Sequence, residues 1–152
     1  MPAVLLLMTL LLLPLSGASA EPLVRCKFEI LISSGILKDK QYRGHFTYRQ
    51  PRQSGDTEVE VEAIEFKFRG ERYGRDDFDA VPTLTLSDGE AIDLKFVGGP
   101  PDKRFAMNAD YLRKHFPDEG YVQVGLPFFG YMNARRKPAG AGQVGMDCPV
   151  KR

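Results

Sequence analysis

Apolar residues recur at every second position over Val24, Cys26, Phe28, Ile30 and Ile32, with Arg25, Lys27 and Glu29 between them. A period of two belongs to a strand with one buried face, and it points Cys26 inward. The alternation returns at Tyr42, Gly44, Phe46 and Tyr48, with Arg43, His45, Thr47 and Arg49 on the opposite side. Ser33-Ser34-Gly35 breaks the first run. The residues from Gln50 to Asp56, with PRQSGD at their heart, supply an exposed turn after the second.

The third run changes phase. Val59, Val61 and Ala63 are apolar at odd positions, then Ile64, Phe66 and Phe68 at even ones. Antiparallel pairing with the second strand sets Tyr48 against Val59 and Phe46 against Val61. It also places Arg49 beside Glu58 and His45 beside Glu62 on the outer face. Beyond Ala63 that register would bring Tyr42 opposite Glu65, and one extra residue restores Tyr42 to Phe66. A β-bulge at Ala63-Ile64, bending one long strand at a corner, is the expectation.

Turn chemistry fills in the remainder. Gly70-Glu71 suits a tight turn pairing Phe68 with Tyr73, and a three-residue loop Ser87-Asp88-Gly89 matches Leu84 with Ile92. Arg104 to Met107 fits a short strand. Asn108 fits the cap of a brief helix from Ala109 to Phe116, with Asp110 in its first turn, Arg113, Lys114 and His115 in its last, and Pro117 as its stop. Tyr121–Gly125 and Phe128–Asn133 are late strands, and Gly140 to Gly145 leads loosely into Met146-Asp147-Cys148. Roughly eight to ten short strands with one short helix make the class all-β, an antiparallel sandwich or barrel.

The first twenty residues, MPAVLLLMTLLLLPLSGASA, fit a cleaved secretory signal: an apolar run too short to span a bilayer, ending in Ala18-Ser19-Ala20. The n-region has no Lys or Arg. Arg25 before Cys26, where a lipobox needs a small residue, argues against a lipoprotein. No later apolar run is long enough for a stable membrane span. The expectation is a signal peptide at 1–20 and one secreted or periplasmic domain at 21–152. Cys26 and Cys148 are the only cysteines. In an oxidising compartment they pair, tying the first strand to the last, and nothing about their spacing resembles a CxxC redox or metal motif.

The 21 basic and 20 acidic residues nearly cancel, which removes the electrostatic case for nucleic acid. No GxSxG, HExxH, P-loop or GxGxxG occurs, and no cofactor is implied. His45 and His115 are read as a solvated cross-strand partner and a helix-dipole partner. Glu58, Glu60, Glu62 and Glu65 form an exposed ladder rather than the paired carboxylates of a glycosidase. Asp76, Asp77 and Asp79 are weak candidates for metal: acids crowd there, but the calcium-loop spacing is missing and Arg72 and Arg75 lie close. Phe128, Phe129 and Tyr131 beside Arg135 and Arg136 form a possible contact patch for a partner, glycan or lipid headgroup. The competing reading covers Phe129 with the Gly- and Ala-rich tail.

The order GHFTY (44–48), FKFRGERY (66–73) and FDAVPTLTLSDGEAIDLKF (78–96) resembles a β-rich pattern of bacterial exported proteins, many of PEP-CTERM type. The resemblance covers about half of the chain after residue 20, implies export and an all-β domain, and carries no catalytic residues. The ending CPVKR lacks a sorting motif, so sorting by that route is not implied. The function expected is a secreted, non-catalytic binding module for an unknown protein or glycan partner. The alternatives are a small secreted enzyme acting on glycans and a lipocalin-like ligand carrier.

Overall fold

The computed structural model describes residues 19–115 and 128–149. The expected signal at 1–20, save its last two positions, and the expected strand at Tyr121–Gly125 lie outside the described residues. The strands are β1 (Leu23–Ile32), β2 (Gln41–Arg49), β3 (Asp56–Glu60), β4 (Ala63–Phe68), β5 (Glu71–Tyr73), β6 (Thr83–Ser87), β7 (Glu90–Gly98), β8 (Phe105–Met107), β9 (Phe128–Met132) and β10 (Pro138–Asp147). They form one antiparallel sheet in the order β3-β6-β7-β8-β9-β10-β1-β2-β4-β5, curled into a half-barrel. The helix α1 (Ala109–His115) starts where expected, with Asn108 Oδ1 accepting from the Tyr111 amide at 3.0 Å. All-β with one short helix is the class observed.

The phase change between Val59 and Phe68 has a different cause from the bulge expected. β3 does not pair with β2 at all; it pairs with β6, Val59 facing Leu84. β4 pairs with β2, setting Phe46 against Ile64 and Gly44 against Phe66. Between them, the Val61 amide donates to Pro82 O at 2.9 Å and the Glu62 amide donates to Thr47 O at 2.8 Å. Consecutive amides thus serve opposite edges of the curled sheet. Val61 and Phe66 are both fully buried, as the alternation demands. The expected cross-strand partners change accordingly: Arg49 meets Glu62, His45 meets Glu65, and Glu58 meets Lys95.

Both tight hairpins use a two-residue turn with positive φ at both positions, the twist that suits right-handed strands. At the β4–β5 turn the residues are Arg69 (φ 51) and Gly70 (φ 86), so Phe68 faces Glu71 and Phe66 faces Tyr73. The expected Gly70-Glu71 centre is therefore one residue late. At the β6–β7 turn they are Asp88 (φ 47) and Gly89 (φ 82), with Ser87 facing Glu90. The register then slips between Thr85 and Leu86, which restores Leu84 to Leu94 and leaves Ile92 exposed. A bulge absorbs the mismatch that the three-residue loop was expected to absorb.

Rings fill the concave side. Phe66 packs within 5.5 to 6.4 Å of Phe28, Phe68, Tyr73, Phe96, Phe105 and Phe129, measured between ring centroids. Gly44 makes this possible, because a Cβ there would stand 2.3 Å from the Phe28 ring. A glycine in mid-strand is covered by a neighbouring aromatic, which recovers some of the packing it lacks.

The Gly-rich tail is a full strand. β10 lies between β9 and β1, pairing Gly142 with Phe129 on one side and with Ile32 on the other. The close approach requires glycine, since a Cβ at Gly142 would sit 2.5 Å from Leu31 O. One step beyond the pair Lys27–Asp147, Cys26 and Cys148 face each other with Cα atoms 4.4 Å apart and are disulfide-bonded. Closing a loop of 122 residues restricts the unfolded chain by up to about 4 to 5 kcal/mol.

Two outcomes follow for denaturant unfolding. Reducing the disulfide should lower stability by several kcal/mol, up to about 5, with the sheet's circular-dichroism signature kept at low denaturant. Phe66→Ala should cost about 3 to 5 kcal/mol, whereas Lys67→Ala, one residue on and facing outward, should change stability by less than about 0.5 kcal/mol.

Candidate functional site

Alternation along each strand sends every second side chain to the convex side of the sheet, and that side is divided. Over β8 and β9 it is covered by α1, where Leu112 packs on Ala106, Phe128 and Met132 with Val97 and Tyr111 at the margin. Over β10, β1, β2 and β4 no helix lies on it among the described residues. There an open trough of about 880 Å³ runs across the strands.

Its walls follow from register. Lys27 stands between Asp147 and His45, and Glu29 between Gly145 and Arg43. His45 faces Glu65, and just past the ladder's last pair, Gly44–Phe66, Arg43 and Lys67 line the recess together. Gly145 leaves the floor open: a Cβ there would meet nothing within 4 Å. A smaller depression of about 440 Å³ adjoins this one through Arg43 and Lys67 and is lined otherwise by Gln41, Tyr42, Arg69 and Gly70.

The charges are partly spent on one another. Glu29 Oε2 accepts from Arg43 Nε at 3.2 Å, and Glu65 lies 3.8 Å from Arg72 and 4.0 Å from His45. These pairs are solvent-exposed, so each contributes well under about 1 kcal/mol. Lys67 faces Arg72 and lines both depressions with Arg43, and among the described residues no carboxylate lies within ion-pair distance of it. Like charges directly opposite in a sheet repel.

The structure separates the expected contact patch. Phe129 and Tyr131 lie in the main core, and Phe128 lies beneath α1. The Tyr131 hydroxyl accepts from the Leu37 amide at 3.1 Å and donates to Ser34 O at 3.3 Å, anchoring the β1–β2 loop. Arg135 and Arg136 are at the exposed tip of the β9–β10 hairpin, whose turn is held by Asn133 Oδ1 accepting from the Arg135 and Lys137 amides. Burying five successive residues on both faces of β9 is what removes the rings from solvent.

Nor do the acids assemble into a site. Asp79 is clamped by Arg104, Asp77 accepts from the Gly74 amide at 2.6 Å, and Asp76 points outward. Among the described residues no three His, Cys, Asp or Glu side chains form a metal-ligand group. The carboxylate ladder is taken up cation by cation: Glu58 by Lys95, Glu60 by Arg75, Glu62 by Arg49. His115 stacks near Tyr111, with ring centroids 4.3 Å apart. Burial pushes the Asp93 carboxyl up, with Lys95 opposing and Asp110 and Glu58 adding to the rise, but Asp93 does not line the trough. The trough residues Lys27, Arg43 and Lys67 were visible as outward positions on three strands. Only the strand order unites them.

Three tyrosines hold their protons above the ordinary range. Burial raises Tyr42 and Tyr48, and Tyr73 is pushed up to about 12 by burial, then by its hydrogen bond to Glu71. The unfolded chain releases these protons from pH 10 upward, so the folded state binds more protons between pH 10 and 12. Stability should fall as pH rises through that window. Tyr73→Phe should flatten the fall, as measured by urea midpoints taken at pH 9, 10, 11 and 12.

Among the described residues no helix is long and apolar enough to cross a membrane. Compared with protein-family models, with curated proteins and with solved structures, the chain matches none.

Proposed function

We propose that this protein is an exported, non-catalytic binding module whose contact surface is the outer trough over β10, β1, β2 and β4. The observation that carries the reading is the contrast between the two sides of the sheet. Rings occupy the concave side, where a lipocalin-like carrier would hold its ligand. The convex side instead offers an open recess of about 880 Å³, wide enough for several sugar units or an extended segment of a partner. The buried disulfide is compatible with an oxidising compartment outside the cytoplasm.

The lining suits contact rather than turnover. Lys27, Glu29, Arg43, His45, Glu65, Lys67 and Asp147 mix both signs across neighbouring strands, giving donors and acceptors for polar groups along an extended ligand. Two of the three carboxylates, Glu29 and Glu65, are already paired with cations.

Gly145→Tyr fills the floor at a site with steric room, so its melting temperature should match the wild type. Binding should be scored on immobilised neutral, carboxylated and sulfated polysaccharides. Wild-type retention that Gly145→Tyr abolishes is the result expected. Equal retention by both proteins would move the contact surface elsewhere, and shortened chains in the eluate would make the protein an enzyme.

A further inference from the structure

The geometry points to an acidic polysaccharide as the ligand, seated with its anionic groups on the seam between β2 and β4 formed by Arg43, Lys67 and Arg69. This rests on the trough being the contact surface. Lys67 is central: Arg72 faces it on β5, Arg43 lines both depressions with it, and among the described residues no acid lies within ion-pair distance of it. Arg69, at the β4–β5 turn, adds a fourth cation, and the depression it shares with Arg43 and Lys67 has no acidic lining residue. Arg43 and Arg72 are offset by Glu29 and Glu65, so the uncompensated charge of the seam is that of Lys67 and Arg69, and a bound anion neutralises it.

The chemical class follows from what surrounds the seam. Glu29, Glu65 and Asp147 are interspersed with the cations of the larger trough, and they would repel a closely spaced phosphate backbone. The whole chain carries a net charge of only +1, which does little to steer nucleic acid or an anionic bilayer toward it. A polysaccharide carrying one carboxylate or sulfate every sugar or two matches a mixed lining. Its anions meet Arg43, Lys67 and Arg69, while its hydroxyls meet Gln41, Glu29 and Gln143. The cations are exposed, so single contacts are weak and screened by salt. Affinity comes from repetition along the polymer.

The test uses dextran sulfate and alginate against neutral dextran, with duplex DNA and vesicles containing anionic phospholipid as further arms. Both acidic polysaccharides should bind and dextran should not. The double variant Lys67→Ala, Arg69→Ala should lose about tenfold or more in affinity and show a shallower dependence on salt. Arg113→Ala, on α1, should change neither, and all three proteins should melt alike. Binding of neutral dextran as tight as that of its sulfated form, still abolished by Gly145→Tyr, would overturn the ligand class and leave the module standing. Tighter binding of DNA or vesicles than of either polysaccharide would likewise overturn the class. Failure of both acidic polysaccharides to bind would overturn the ligand class.

Discussion

Two neighbouring amides hold the two limbs of the curled sheet together. The Val61 N–H reaches Pro82 on the β3–β6 side and the Glu62 N–H reaches Thr47 on the β2–β4 side. Adjacent N–H groups in an extended chain point in opposite directions, so one dipeptide can serve two edges without a break in the backbone. Because the chain crosses from one edge to the other here, residues on either side of the crossing must both turn their apolar side chains inward. Val61 and Phe66 do so at an odd separation, and the ring cluster depends on the second of them.

The strands themselves were legible because a half-buried strand writes its burial into every second residue. β1, β2 and the halves of the third run fall where alternation puts them, and Cys26 and Cys148 meet because inward-facing cysteines on neighbouring strands have little other choice. What the alternation does not encode is the identity of the neighbour. β3 and β2 have matching patterns yet pair with others, since Leu84 and Leu86 offer β3 an equally apolar face. At the β6–β7 turn a bulge at Ile92 rescued the favoured Asp-Gly turn, an outcome that no counting of residues between apolar positions could separate from a longer loop. The tail around Gly142 was obscure because glycine has no side chain with which to show a face. Its reason for being there lies in the backbones of Leu31 and Ile32, far away in sequence.

The candidate site was hidden for the same reason. Lys27, Arg43 and Lys67 each occupy an ordinary outward position, and charged residues at such positions are the common condition of a solvated face. The order β10-β1-β2-β4-β5 sets them side by side, on a part of the convex surface that α1, packed over β8 and β9, leaves open. The aromatic patch around Phe129 went the other way: a dense apolar run beside basic residues turned out to be a strand buried on both faces.

β10 sits in the middle of the sheet, not at its edge, flanked by β9 and by β1. The first strand therefore has one of its two permanent neighbours only when the last strand has been made. Until then Phe28, Ile30 and Ile32 lack part of their covering, and the long-range pairings that dominate the sheet cannot close. A chain wired in this way is slow to commit to a compact shape while it is still being synthesised. Its rigidity arrives all at once, when β10 slots between β9 and β1 and the disulfide joins Cys26 to Cys148.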